Sequence, residues 1–155
     1  MIYSRSAEYA IRAFVRLALA QEGRYVMAKN IAESESIPYH FLSKILQDLA
    51  RRGLLRSNKG PTGGFALLRP PGRISLWDVA VAVDGPGAYQ RCLCGSSACA
   101  EDSACGLRDG WTRLRSSIIR YLEGTSIADV SRSLEQKRVA LAKQRQSRRT
   151  LVKRG

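Results

Sequence analysis

The chain has 155 residues, a hydrophobic share of 45% and a formal net charge of +13, enough for one compact domain with an appendage. It shows no secretory leader pattern and no apolar run long enough to span a bilayer, so the expectation is a cytoplasmic protein with no membrane partner. Residues 131–155 hold nine Lys/Arg against Glu135 alone; the body is therefore only modestly basic, and this basic tail is expected as frayed, flexible helix or disorder.

A first helix is predicted over 7–20, where Ile11, Phe14, Val15 and Ala18 fall on one stripe. Ser6 is its expected N-cap, and Glu8 lies in the first turn, where the helix dipole favours an anion. A short helix follows over 27–34 with Ile31 and Ala32 inward. A third is predicted over 38–51 with Pro38 at its first position. Phe41, Leu42, Ile45, Leu46 and Leu49 should pack on the first two helices. His40, Lys44, Gln47 and Arg51 take the other side, with Ser43 beside them. Such a polar stripe is either a solvated face or a recognition helix reaching base edges and phosphates.

Gly53 ends this helix. Residues 54–57 and 65–68 then predict a hairpin around NKGPTGG, with Asn58 and Lys59 at its tip. Helix, short helix, helix and glycine-rich hairpin is the order of a winged helix-turn-helix, a mainly α fold with a small β-hairpin wing. Ser75-Leu76-Trp77-Asp78 is a capping signal for a helix through Val79, Ala82 and Val83 that stops at DGPG. Over 107–122, Trp111, Leu114, Ile118 and Tyr121 repeat as a seam, which predicts a long C-terminal dimerisation helix. The expected organisation is a DNA-binding domain over 1–85, a cysteine loop over 86–106, the dimer helix over 107–130 and the tail.

All four cysteines lie between 92 and 105, spaced C-x-C-x4-C-x5-C. No C-x2-C pair occurs, so the usual zinc-ribbon spacing is absent. Zinc, a disulfide switch and an iron–sulfur cluster all remain open on spacing alone. No nucleophile–base constellation, phosphate loop or paired-carboxylate motif is present, so an enzyme is not expected.

Residues 1–130 resemble the Rrf2 family of bacterial transcriptional regulators, which includes IscR-like and NsrR-like sensors. The stretches carrying the resemblance are SAEYAIRA, PYHFLSKILQDLARRGLL, KGPTGGFAL and C-x6-C-x5-C followed by Leu107 and Trp111. The resemblance implies a homodimeric repressor or activator on double-stranded DNA, with a palindromic operator. It further implies a two-iron or four-iron cluster that reports iron supply, redox state or nitric oxide.

The family's cysteine ligands fall on Cys92, Cys99 and Cys105, and Cys94 is an additional thiol or alternative ligand. Arg108 stands where many members place a histidine. In some relatives an acidic residue from the partner subunit is an oxygen ligand, and the resemblance places Glu8 at the matching position, with Cys94 and solvent or a small thiol as the other candidates; the other reading of Glu8 is a dipole-complementing residue paired with Arg12. Ser43, Lys44 and Gln47 are expected to read bases, with Tyr39 and His40 at the backbone or base edges. Arg51, Asn58, Lys59 and Thr62 are expected on phosphate. The alternative is a cluster-free winged-helix repressor switched by cysteine oxidation or zinc binding.

Overall fold

The computed structural model describes residues 2–20, 23–60, 63–92 and 106–152, the side chains of 142–152 excepted. Helix α1 spans Arg5–Ala18 and buries Ala7, Ala10, Ile11, Ala13, Phe14, Val15 and Leu17. Its cap is Ser4 rather than Ser6: the Ser4 backbone is extended, and its hydroxyl accepts the Ala7 N–H at 3.1 Å. A remote carboxylate makes that choice. Asp84 accepts the Ser4 N–H at 3.0 Å and also the Ser4 hydroxyl, so Ser4 is held outside the helix.

Helix α2 spans Ala28–Glu35 and buries Ala28, Ile31 and Ala32. Ser36 ends it in the left-handed conformation at φ 54°, a place usually taken by glycine. Helix α3 spans Tyr39–Arg51, with Pro38 in the capping position just ahead of it rather than at the first helical residue. Lacking an N–H, Pro38 leaves no orphan donor there.

Strands β1 (Leu55–Asn58) and β2 (Gly64–Leu67) pair antiparallel, Leu55 opposite Leu67 and Asn58 opposite Gly64. Each lies one residue off its expected span. A third segment joins the hairpin: Val26, between α1 and α2, exchanges backbone hydrogen bonds with Phe65, both at 2.9 Å. The wing is thereby tied to the body near its turn, one pair in from Asn58 and Gly64. Gly64 makes the approach possible. It sits at φ +141°, and a Cβ there would stand 2.3 Å from the Val26 carbonyl oxygen. Gly64→Ala is expected to cost about 2 kcal/mol or more. The checks are a lower urea midpoint and lost hydrogen-exchange protection at Phe65.

Helix α4 spans Leu76–Asp84 and opens on the capping box expected from sequence. Ser75 Oγ accepts the Asp78 N–H at 3.0 Å, and Asp78 accepts the Ser75 N–H at 2.9 Å. Ser75→Ala is expected to lower stability by about 1 kcal/mol, seen as a melting temperature about 3 °C lower.

Helix α5 spans Arg108–Gly124 and helix α6 Ile127–Val152. The turn between them pairs with the start of α4: Leu76 N–H donates to the Thr125 carbonyl at 2.9 Å, and Ile127 N–H to that of Ile74 at 2.8 Å. Ile127 is fully buried with Phe14, Leu42, Leu46 and Val79 in one core cluster, so the first turn of α6 belongs to the body. The basic stretch beyond it is helical as far as Val152. No helix among the described residues is long and apolar enough to cross a membrane.

Candidate nucleic-acid interface and cysteine segment

Helix α3 has two unlike faces because its apolar residues are spaced for one side only. Leu42, Leu46 and Leu49 are buried and Ile45 is half-buried. Phe41 departs from expectation. It is 45% exposed, and its ring meets Tyr9 of α1 edge-on at 5.8 Å, so at the first turn of α3 the core covers it only in part.

The outer face carries Tyr39, His40, Lys44, Gln47 and Arg51, all exposed, with Ser43 half-buried. Tyr39 and His40 contact edge-on at 5.2 Å. Gln47 Nε2 donates to Ser43 Oγ at 3.4 Å. Asp48, on the same helix, pairs with Arg51 at 3.3 Å and with Arg52 at 2.8 Å. These are exposed pairs of small net worth, so either guanidinium can exchange Asp48 for a phosphate.

The wing adds positive charge beside this face. Asn58 closes β1 opposite Gly64 instead of forming the tip, and exposed Lys59 follows it. Thr62 lies outside the described residues. Arg56 and Arg52, both exposed, were not singled out by sequence reasoning. Arg56 directly follows buried Leu55 on β1, so its side chain takes the opposite face of the strand.

Of the cysteines, only Cys92 falls among the described residues; Cys94, Cys99 and Cys105 do not. The chain leading to Cys92 is held at several points. Tyr89 is buried, its ring lies 4.8 Å from that of Trp77, and its hydroxyl donates to Asp84 at 3.0 Å. Burial, with Asp84 beside it, raises the Tyr89 pKa well above the ordinary phenol value, so the hydroxyl stays a donor at physiological pH. The next two carbonyls are taken by α5: Arg115 donates to that of Gln90 and the Trp111 indole to that of Arg91, each at 3.1 Å. Cys92 is half-buried on a cleft of about 830 Å³, with Tyr3, Tyr89, Arg91, Trp111 and Arg115 around it.

The expected seam of α5 divides. Ile118 packs against the core and Leu122 is buried, whereas Leu114 is 54% and Tyr121 66% exposed. With exposed Leu107 they form an outward stripe spaced by seven. Trp111 is half-buried and serves the cysteine segment. Glu8 is half-exposed and pairs with Arg12 at 3.5 Å; Arg12 also pairs with Glu35 at 3.1 Å. Glu8 does not line the cleft at Cys92 within one chain.

Residues 3–133 match the family model Rrf2, described as an iron-dependent transcriptional regulator. A Mycobacterium tuberculosis protein named as an HTH-type transcriptional regulator is 40% identical over 131 residues, 84% of this chain and 81% of the relative. The HTH-type transcriptional regulator IscR of Xenorhabdus nematophila is 31% identical over 151 residues, 97% of this chain and 91% of that protein. Among solved structures, CymR, the global cysteine regulator of Bacillus subtilis, superposes with a TM-score of 0.74 at 23% identity, covering 86% of this chain and 98% of CymR.

Proposed function

The chain belongs to the Rrf2 family and is a DNA-binding transcriptional regulator, not an enzyme; from that premise we propose that it is a homodimer whose affinity for a palindromic operator is set by an iron–sulfur cluster on its cysteine loop. Helix α3 enters the major groove, with Ser43, Lys44 and Gln47 toward base edges and Tyr39 and His40 beside them. Arg51, Asn58, Lys59 and Thr62 hold phosphates. The outward stripe Leu107, Leu114 and Tyr121 supports a partner helix packed on α5, whereas Ile118 and Trp111, expected in the same seam, serve this chain's own core and cysteine segment. A two-fold pair of winged helices matches a two-fold operator.

The donor chemistry fits the cluster: thiolates suit iron–sulfur ligation, and Cys92 is a half-buried thiol on a cleft with room beside it. Cys92, Cys99 and Cys105 would hold the group, completed by Glu8 of the second copy or by Cys94. Bound there, it supplies a centre whose state changes with iron, oxidants or nitric oxide.

The observation that carries the regulatory reading is the double hold of α5 on the cysteine segment, Arg115 on Gln90 and Trp111 on Arg91. A loop that orders or loosens pulls directly on the helix proposed to join the two subunits, and so on the spacing of the two α3 helices. The test is operator affinity of cluster-loaded and cluster-free protein at matched salt. Equal affinity would refute the coupling.

A second reading has its own support. Cys94 lies two residues from Cys92, and the fold is shared with a protein described as a global cysteine regulator. A thiol switch without a cluster would use that pair. Anaerobic purification separates the two: brown protein with stoichiometric iron supports the cluster, while colourless protein with reversible thiol oxidation, or with zinc, supports the alternative.

A further inference from the structure

Resting on the DNA-binding reading, we propose that the outer part of α6, residues 132–152, is a second, sequence-independent surface for duplex DNA that contacts phosphates flanking the operator. Helix α6 begins as part of the body, with Ile127 fully buried and Ser131 buried with its hydroxyl on the Ala128 carbonyl. From Arg132 to Leu141 every residue is exposed. The helix has left the core, and it continues past residue 133, where the family match stops.

Its cations far outnumber its acids. Arg132 pairs with Asp129 and Arg138 with Glu135. After Glu135 the sequence contains no acid, but eight further cations: Lys137, Arg138, Lys143, Arg145, Arg148, Arg149, Lys153 and Arg154. Arg145, Arg148 and Arg149 recur at three- and four-residue spacing, where like charges on a helix repel. Residues 132–152 extend about 31 Å at about 1.5 Å per residue. Duplex DNA presents one negative charge per about 1.7 Å of axis, so a polyanion of matching length relieves this repulsion along the whole helix. Leu134 and Leu141 share a face two turns apart, but Lys137 and Arg138 lie between them, which argues against an apolar contact with a second copy there.

The test uses the full chain and a variant carrying Lys137→Gln, Arg138→Gln, Lys143→Gln, Arg145→Gln, Arg148→Gln and Arg149→Gln, since glutamine keeps helix propensity. Binding to a mixed-sequence duplex of about 30 base pairs is followed by fluorescence anisotropy between roughly 50 and 200 mM salt. The expected result is a log–log salt slope shallower by about 3 to 5, from about 0.9 per lost phosphate contact. Affinity should fall at least about tenfold at the lower salt, with circular dichroism and sedimentation unchanged. Equal slope and affinity in the two proteins would overturn the proposal and leave these cations to solvent or an acidic protein. A changed oligomeric state with the slope intact would overturn it in favour of a second copy. If the unmodified chain bound no duplex, the DNA-binding reading would fall as well.

Discussion

Cys92→Ser is expected to abolish the visible absorbance and bound iron of anaerobically purified protein, while its helical circular dichroism is retained. Serine matches cysteine in size, but its hydroxyl is a hard, weakly acidic donor where the cluster needs a thiolate. The fold should survive because Cys92 lies outside the core clusters, and Tyr89, Gln90 and Arg91 remain held by Asp84, Arg115 and Trp111. The companion variants divide the ligand question. Glu8→Ala should shift the spectrum and make the cluster more labile, and Cys94→Ser should leave both nearly intact. Loss of the native spectrum in Cys94→Ser alone would overturn the assignment of Glu8. An unchanged spectrum in Cys92→Ser would remove Cys92 from the ligand set altogether.

On the DNA side, Lys44→Ala and Gln47→Ala should each weaken operator binding about tenfold to a hundredfold at fixed salt, since a good base contact contributes about 1–3 kcal/mol of discrimination. Both residues are exposed on α3, so neither change costs the fold much. The two should differ in kind. Gln47 can be bidentate only to a base edge, so its loss should relax sequence preference with little change in salt dependence. Lys44 also carries charge, so its loss should flatten the salt slope by about 1. Equal effects on operator and mixed-sequence DNA in both variants would place these residues on phosphate instead.

How much of this was legible in the sequence depends on the range of the interaction involved. The capping box at Ser75 and Asp78 is local, four residues long, and stands where the pattern put it. The same S-x-x-D signal recurs at Ser126 and Asp129, where Ser126 Oγ accepts the Asp129 N–H at 3.1 Å and Asp129 accepts the Ser126 N–H at 3.0 Å. The Ser126 hydroxyl, which donates to the Asp129 carboxylate at 2.6 Å, and then the Ser126 N–H hold that carboxyl below its ordinary pKa. That helix was harder to foresee because the residues after it are polar all round and give no apolar period to follow. Phe41 fits the period of α3, but the period cannot tell how far the core reaches along the helix. The hold of Trp111 and Arg115 on carbonyls 20 and 25 residues away leaves no trace in spacing at all. The cysteine spacing, specific in combination with the wing, marked the segment proposed to bear the cluster, but it says nothing of what a second subunit adds.

The carboxylate of Asp84 reaches in two directions, to Ser4 at the start of α1 and to Tyr89 ahead of the cysteines. Its bond to Ser4 spans 80 residues of chain, which gives it a consequence in time as well as space. At a synthesis rate of about 5–20 residues per second, the first helix waits roughly 4 to 16 seconds for the residue that fixes where it begins. Until then Ser4 has its local bond to the Ala7 N–H but lacks the carboxylate that holds it outside the helix. The same carboxylate accepts the Tyr89 hydroxyl ahead of Cys92, so the start of the first helix and the approach to the cysteines share one late-synthesised anchor.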